Sequence, residues 1–190
     1  TAAPALTRER VNQSFGELTR MATVDAVTGL FNRRYFEGRL VEEVERARRQ
    51  QQDLALLMID IDDFKRVNDM RGHLEGDRTL HDVADLLRQS LRIFDVCARF
   101  GGEEFAILMP GASPTVAKQV AERIRGRVDS HFAHESLRVT VSVGVGMLAS
   151  ELGSRDLVEM ADRALMAAKA AGKNVVWIDS QLRSRTRHTP

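Results

Sequence analysis

Two acidic stretches, well separated in the chain, carry the residue types best suited to chemistry. "DIDDFKRVND" spans residues 60 to 69, and "RFGGEEF" spans residues 99 to 105. The first starts where the apolar run "LALLMID" (residues 54 to 60) ends, which puts Asp60 at the C-terminal end of a buried strand. In the second, Gly101-Gly102 suits a tight hairpin turn because glycine tolerates positive φ. A turn does not call for Glu103 and Glu104 at its exit. If the strand ending at Asp60 lies beside this hairpin, Asp60 converges with Glu103 or Glu104. Facing carboxylates repel unless a cation sits between them, and an all-oxygen donor set suits Mg²⁺, which takes one or two carboxylates plus substrate phosphates. Two unrelated solvated charge clusters fit the same pattern.

The neighbouring residues favour the metal reading. Phe64 and Lys65 open a short helix, whose first N–H groups are free to cradle phosphate oxygens. Asn68 and Asp77 supply an amide and a carboxylate, a pair able to read a guanine edge. Each is also at home in a turn or cap, and Asp77 is placed to cap a helix starting near Arg78. Together with a phosphate-and-metal site they point to GTP.

The surrounding elements must bring these residues together. An apolar stripe at Val11, Phe15, Leu18 and Met21 predicts a linker helix or short coiled coil over residues 7 to 23. "DAVTGLFN" (residues 25 to 32) reads as a Gly-containing loop, followed by a helix over residues 33 to 50. Further helices are expected over residues 62 to 70, around Leu80, Val83, Leu87 and Leu91, over 114 to 128 and over 155 to 171. Strands are expected at 54 to 60, 96 to 100, 104 to 109, within "LRVTVSVGVGML", and in "NVVWID". The fold class is α/β (α+β): a mixed sheet of five or more strands flanked by helices. Three segments follow: a linker helix over 1–24, a catalytic domain over 25–179 and a tail over 180–190.

Composition sets outer limits. The 190 residues are 43% hydrophobic and carry a formal net charge of +1, which gives no field favouring nucleic acid. One cysteine, Cys97, excludes an internal disulfide and fits a reducing compartment. No apolar run approaches the roughly 20 residues that span a bilayer. Thr1-Ala-Ala-Pro has neither an initiator Met nor a signal-peptide pattern, so the chain reads as a piece of a longer protein. Cys97 is expected as an inert buried thiol, His73 as a turn residue and Trp177 as core.

Five blocks in order resemble the GGDEF family of diguanylate cyclases: "DAVTGLFNRR", "DIDDFKRVNDMRGHLEGDRTL", "RFGGEEF", "VSVGVG" and "ADRALMAAKAAGKN". The resemblance covers residues 25 to 178. It implies a central sheet related to the palm of nucleotidyl cyclases and polymerases. It implies an enzyme that joins two GTP into cyclic di-GMP, releasing two pyrophosphates, with one GTP per domain and a homodimer for catalysis. By the same resemblance Asp60, Glu103 and the Ile61 carbonyl would hold two Mg²⁺, or Mn²⁺ in their place. Glu104 would support the metals or activate the 3′-hydroxyl. Phe64 and Lys65 would hold the triphosphate from one side, and Lys169 and Lys173, read as i and i+4 on one helical face, from the other. Asn68 and Asp77 would recognise guanine. Val27, Met166 and Lys173 depart from the family's usual Leu, Tyr and Arg, and none of these changes removes a required group. The implied setting is cytoplasmic, or tethered to the inner membrane by upstream sequence, with a sensory domain upstream in cis.

"RIFD" places Arg92 and Asp95 as R-x-x-D, with Asp95 six positions before Gly101. In the family that offset implies an inhibitory site for the product. Arg123, and Arg46 as a further match, would join it. An ion pair at a helix end is the alternative reading of the motif. A non-enzymatic receptor of GTP or cyclic di-GMP, and a different nucleotidyl transferase, are the competing functions. The intact signature loop argues against the first, and the Asn68–Asp77 pair against an adenine-using version of the second.

Overall fold

The structure, a computed structural model, describes residues 22–179. The stripe from Val11 to Met21 and the tail from Ser180 lie outside the described residues. The elements run β1 (Phe31–Asn32), α1 (Arg33–Gln50), β2 (Leu54–Ile61), α2 (Phe64–Arg71), α3 (His73–Arg88), β3 (Val96–Arg99), β4 (Glu104–Pro110), α4 (Pro114–His131), β5 (Val141–Met147), α5 (Ser154–Ala170) and β6 (Val176–Ile178).

The six strands form one mixed sheet in the order β1-β3-β4-β2-β5-β6. β2 is central and antiparallel to both β4 and β5. All eight of its residues are buried, as a strand covered on both faces requires, and this is why it reads as an unbroken apolar run. The edges are parallel pairings, β1 with β3 and β6 with β5. The short β1 lies inside the stretch expected to be wholly loop. Two residues are too few to show a strand period, so only the pairing with Ala98 and Arg99 reveals it.

Alternation along β2 divides the core in two. Ala55, Leu57, Ile59 and Ile61 pack with Phe64, Val67, Leu80 and Leu87 of α2 and α3 and with Ile124 and Val128 of α4. Leu54, Leu56 and Met58 pack with Phe36, Leu40 and Val44 of α1 and with Leu157, Ala161 and Leu165 of α5. Asp60, next in that series, belongs to the α1–α5 face. α5 lies almost on the sheet: a Cβ at Gly144 would stand 2.1 Å from the Leu165 nitrogen. This close approach brings the polar end of α5 over the end of β2.

Three helix starts have identifiable causes. The Asn32 side chain accepts the Tyr35 N–H at 3.0 Å and opens α1. Ser113, with Pro114 at the first helical position, opens α4. Asp156 accepts the Gly153 N–H at 2.7 Å and opens α5. Trp177, expected in the core, is 47% exposed on β6, the edge strand of the sheet among the described residues. Cys97 is buried as expected, and burial pushes its thiol up to about 12. Among the described residues no helix is long and apolar enough to cross a membrane.

Candidate active site

The antiparallel register sets Asp60 directly opposite Glu104. Residues opposed in this way point to the same face of a sheet, so both carboxylates lie on the α1–α5 side. Glu103 precedes the strand and lines a cleft of about 460 Å³ with Phe64, Lys65, Asn68, His73, Asp77 and Arg99. Its carbonyl accepts the Ile61 N–H at 3.2 Å, which locks the hairpin exit to the end of β2. The two adjacent glutamates therefore converge with Asp60 at one sheet end, and the charges of both push the Asp60 carboxyl up.

The acids are crowded. Asp60 is 7% exposed. Burial pushes its carboxyl upward, Lys169 pulls it down, and the charges of Glu103 and Glu104 push it up again, so it ends above the ordinary 3.8. The Lys169 ammonium lies 2.7 Å from the Asp60 carboxylate. The lysine read from the resemblance as a triphosphate contact is here the counter-charge of Asp60.

Lys173 is not on the helical face with Lys169. α5 stops at Ala170, and Lys173 follows in a turn at φ 65°. From there it reaches Asp63 at 2.6 Å, a hydrogen bond that is the chief reason its ammonium is held above the ordinary range. Asp62 secures the same turn. It is buried and accepts from the Ser142 hydroxyl at 2.6 Å, the Thr140 hydroxyl at 2.7 Å and the Asn174 N–H at 3.0 Å. Lys169 thus holds the end of β2 and Lys173 the residue that precedes α2.

Asn68 and Asp77 share the cleft, but the second is not a cap. α3 begins at His73, so Asp77 lies inside the helix, and His73 is its first residue rather than a turn residue. The α2–α3 corner is a single residue, Gly72 at φ 83°, which is too short for the longer turn expected there. Gly76 makes the cleft possible: a Cβ there would stand 2.0 Å from Asn68 Oδ1. The signature glycines work differently from expectation, since neither Gly101 nor Gly102 has positive φ. Phe100 and Gly101 both donate N–H to the Glu104 carbonyl, at 2.8 and 3.3 Å. A Cβ at Gly101 would meet the Glu104 carboxylate at 2.8 Å, so that glycine is needed for close approach.

Sequence reasoning missed the clamp on this loop. Arg99 donates to the Gly102 carbonyl at 3.0 and 2.8 Å and to both Asp25 oxygens at 3.3 Å. Asp25 also accepts from the Thr28 N–H at 2.9 Å and the Thr28 hydroxyl at 2.8 Å. Burial pushes the Asp25 carboxyl up, but the Thr28 bonds and Arg99 outweigh it and hold it below 3.8. The available signal was an acid three residues before a threonine, the spacing of a local side-chain turn.

Hard oxygen donors are present for a divalent cation: the Asp60 and Glu103 carboxylates and the Ile61 carbonyl. Among the described residues no group of three or more His, Cys, Asp or Glu is close enough to hold a metal ion. A set of two carboxylates completed by substrate phosphates is what a small, hard cation uses, and the crowding at Asp60 marks where positive charge is wanted.

The R-x-x-D residues lie at the other flank. Arg92 and Asp95 do not form the expected alternative, a side-chain ion pair: the Arg92 backbone N–H donates to Asp95 at 2.8 Å, leaving the guanidinium exposed. Burial raises the Asp95 carboxyl, opposed by that N–H and by the charges of Arg92 and Arg123. Arg123 donates to the Ser90 carbonyl at 2.6 Å. Arg46 lies across a second cleft, of about 640 Å³, that Asp95 also lines.

The family model described as "Diguanylate cyclase, GGDEF domain" matches residues 22–175. The chain is 43% identical over 156 residues to the diguanylate cyclase DgcP of Pseudomonas aeruginosa, covering 80% of this chain and 23% of that protein. It is 41% identical over 162 residues to the response regulator PleD of Caulobacter vibrioides, covering 82% and 36%. The chain thus spans about a quarter to a third of the length of these two relatives. The coiled coil and GGDEF domain of DgcB from Caulobacter crescentus, solved with c-di-GMP, superposes with a TM-score of 0.87 at 30% identity, covering 93% of this chain and 96% of that one. The active GGEEF domain of a diguanylate cyclase from Vibrio cholerae gives 0.75 at 34% identity, covering 79% and 97%. A divalent metal is generally needed by nucleotidyl transferases of this kind. With that match over most of the chain and the Gly-Gly-Glu-Glu-Phe hairpin beside Asp60, the chain belongs to the GGDEF-domain family of diguanylate cyclases.

Proposed function

We propose that this chain is the catalytic output domain of a longer signalling protein, acting in the cytoplasm and condensing two GTP into cyclic di-GMP with release of two pyrophosphates. The observation that carries the reading is the pairing of Asp60 with Glu104, with Glu103 lining the Asn68–Asp77 cleft. One sheet end would thereby offer a cation seat, at Asp60 and Glu103, next to a base-reading cleft that Glu103 also lines. Residues 1–24 would link it to an upstream sensor, and 180–190 would be a tail.

In this reading Asn68 and Asp77 hold guanine by its edge, Asp77 accepting from the ring N–H groups. Phe64 and Lys65 hold the triphosphate at the free N–H groups of α2, while Lys169 and Lys173 leave Asp60 and Asp63 to meet phosphate oxygens. Two Mg²⁺ at Asp60, Glu103 and the Ile61 carbonyl would offset charge on the attacking and leaving oxygens. Glu104 draws the proton from the incoming 3′-hydroxyl, whose oxygen bonds the α-phosphorus as the bond to pyrophosphate breaks. The 3′-hydroxyl comes from the GTP of a second copy, so two domains must face each other across a two-fold axis. The exposed Arg92 guanidinium, with Asp95, Arg123 and Arg46, would bind product and hold domains in an arrangement that separates the GTP sites.

Incubation with GTP and Mg²⁺, followed by mass analysis, is expected to yield cyclic di-GMP and pyrophosphate, and ATP is expected to yield neither. GTP binding without product would favour a receptor. For the inhibitory site, Arg92→Ala is expected to keep its initial rate while losing inhibition by added product. Equal inhibition of both proteins would reduce the motif to a local turn.

A further inference from the structure

Four non-glycine residues among the described ones hold a positive φ, and three of them, Asp63, Lys173 and Asn174, meet at one place. Asparagine and aspartate tolerate the left-handed region, but a lysine there is held against its preference. Lys173 at φ 65° and Asn174 at 49° directly follow Gly172 at 113°, so three successive residues turn the chain back as it leaves α5. Lys173 reaches Asp63 at 2.6 Å, but that ion pair joins two exposed side chains and is too weak to hold the backbone in this form. Strain of this kind persists only where the surroundings over-determine it. Here the grip falls on Asn174, from two sides. On one, its backbone N–H donates to Asp62, just past β2, at 3.0 Å. On the other, its side-chain oxygen accepts from the Arg125 guanidinium at 3.0 Å and its Nδ2 donates to Asp129 at 3.3 Å. Arg125 and Asp129 are i and i+4 on α4, which puts both on the face that meets the turn.

We propose that Asn174 is a positioning residue for Lys173: clamped between α4 and the end of β2, it keeps the left-handed turn shut, so that the Lys173 ammonium stays at the start of α2 and meets the phosphates of a nucleoside triphosphate there. The clamp does for Lys173 what the body of α5 does for Lys169, since the helix ends before it can carry the second lysine. The proposal rests on the cyclase reading for the role of Lys173, but the grip of Arg125, Asp129 and Asp62 on Asn174 stands without it.

The test is a double-mutant cycle read by binding of a non-hydrolysable GTP analogue with Mg²⁺. Asn174→Gly leaves the left-handed φ accessible and removes both side-chain bonds. It is expected to raise Kd for the analogue, and KM for GTP, about fivefold with kcat little changed. Lys173→Met is expected to raise Kd at least as much, and adding Asn174→Gly to it should cost nothing more, because the clamp acts through the lysine. A further fivefold loss in the Lys173→Met protein would overturn the proposal, and so would wild-type binding by Asn174→Gly. Arg125→Met leaves Asn174 in place and removes one grip, with a rise in Kd of about twofold expected; it carries the test should Asn174→Gly fold poorly, and unchanged binding would then overturn the proposal. Amide hydrogen exchange over residues 171–175, without nucleotide, reads the clamp itself and is expected to quicken in Asn174→Gly and in Arg125→Met. Unchanged exchange in both would overturn the clamp whether or not the chain makes cyclic di-GMP. Quickened exchange in a chain that makes no cyclic di-GMP would uphold the clamp and sink the cyclase reading alone.

Discussion

The two polar clefts of this domain handle buried charge in opposite ways. In the larger one Glu43 is 2% exposed, yet it is matched by Arg39 at 2.6 Å and Arg46 at 3.2 Å. In the smaller region around the end of β2, Asp60, Glu103 and Glu104 crowd together, and Lys169 pairs only with Asp60. A carboxylate already flanked by two guanidiniums gains little from a cation. One pressed against like charges gains a great deal, because each uncompensated buried charge is costly. Cleft size and charge balance thus point to different ends of the molecule, and charge balance favours the end proposed to take a metal and a nucleotide.

The comparison breaks most visibly at Glu103. Glu103→Gln keeps the shape and removes the charge, so turnover is expected to fall by about a thousandfold while the fold persists. Near-normal rates in a folded variant would move the metal site elsewhere. Asp77→Ala should have the next largest effect. Losing a charged acceptor for guanine costs about 1.5–3 kcal/mol, read as a fall in kcat/KM for GTP with ATP use unaltered. Equal use of GTP and ATP by the wild-type protein would refute the base assignment.

Asp25 sharpens the contrast through pH. Its carboxyl is held below 3.8 in the folded protein, so it binds protons less readily folded than unfolded. Its contribution to stability is full above pH 3.8 and drains away as pH falls through the lowered value. Asp25→Asn is expected to be less stable than wild type at pH 7 by about 1 kcal/mol, with the deficit vanishing in acid. Parallel melting curves at both pH values would separate this from a pH-independent packing loss. Asp60 has the opposite sign. Its raised carboxyl carries no penalty below pH 3.8, and a cost to the folded protein builds up as pH rises through the raised value.

Much of this arrangement is legible in the sequence, and what is not has physical causes. The run from Leu54 to Asp60 announces a buried strand ending in an acid, and the glutamates of the hairpin announce a partner. Which glutamate faces Asp60 depends on register, a long-range property that no local pattern carries; it proves to be Glu104. The single-residue corner at Gly72 moves the start of α3 to His73 and carries Asp77 from a cap into the helix. Lys173 has helical spacing from Lys169, but α5 ends before it reaches that far. The Asp25–Arg99 clamp joins residues 74 apart and leaves only a local trace at Thr28.

The central claim is that charge at the end of β2 is unbalanced until a metal and nucleotide arrive, and thermal unfolding of wild type and Asp60→Asn at pH 7 tests it most directly. Without ligand, Asp60→Asn is expected to melt higher than wild type, since it removes the repelled carboxylate. With Mg²⁺ and a non-hydrolysable GTP analogue the order should reverse, because only wild type gains from binding. A variant that melts below wild type in both conditions would mean that Lys169 already balances Asp60, and the claim would fail.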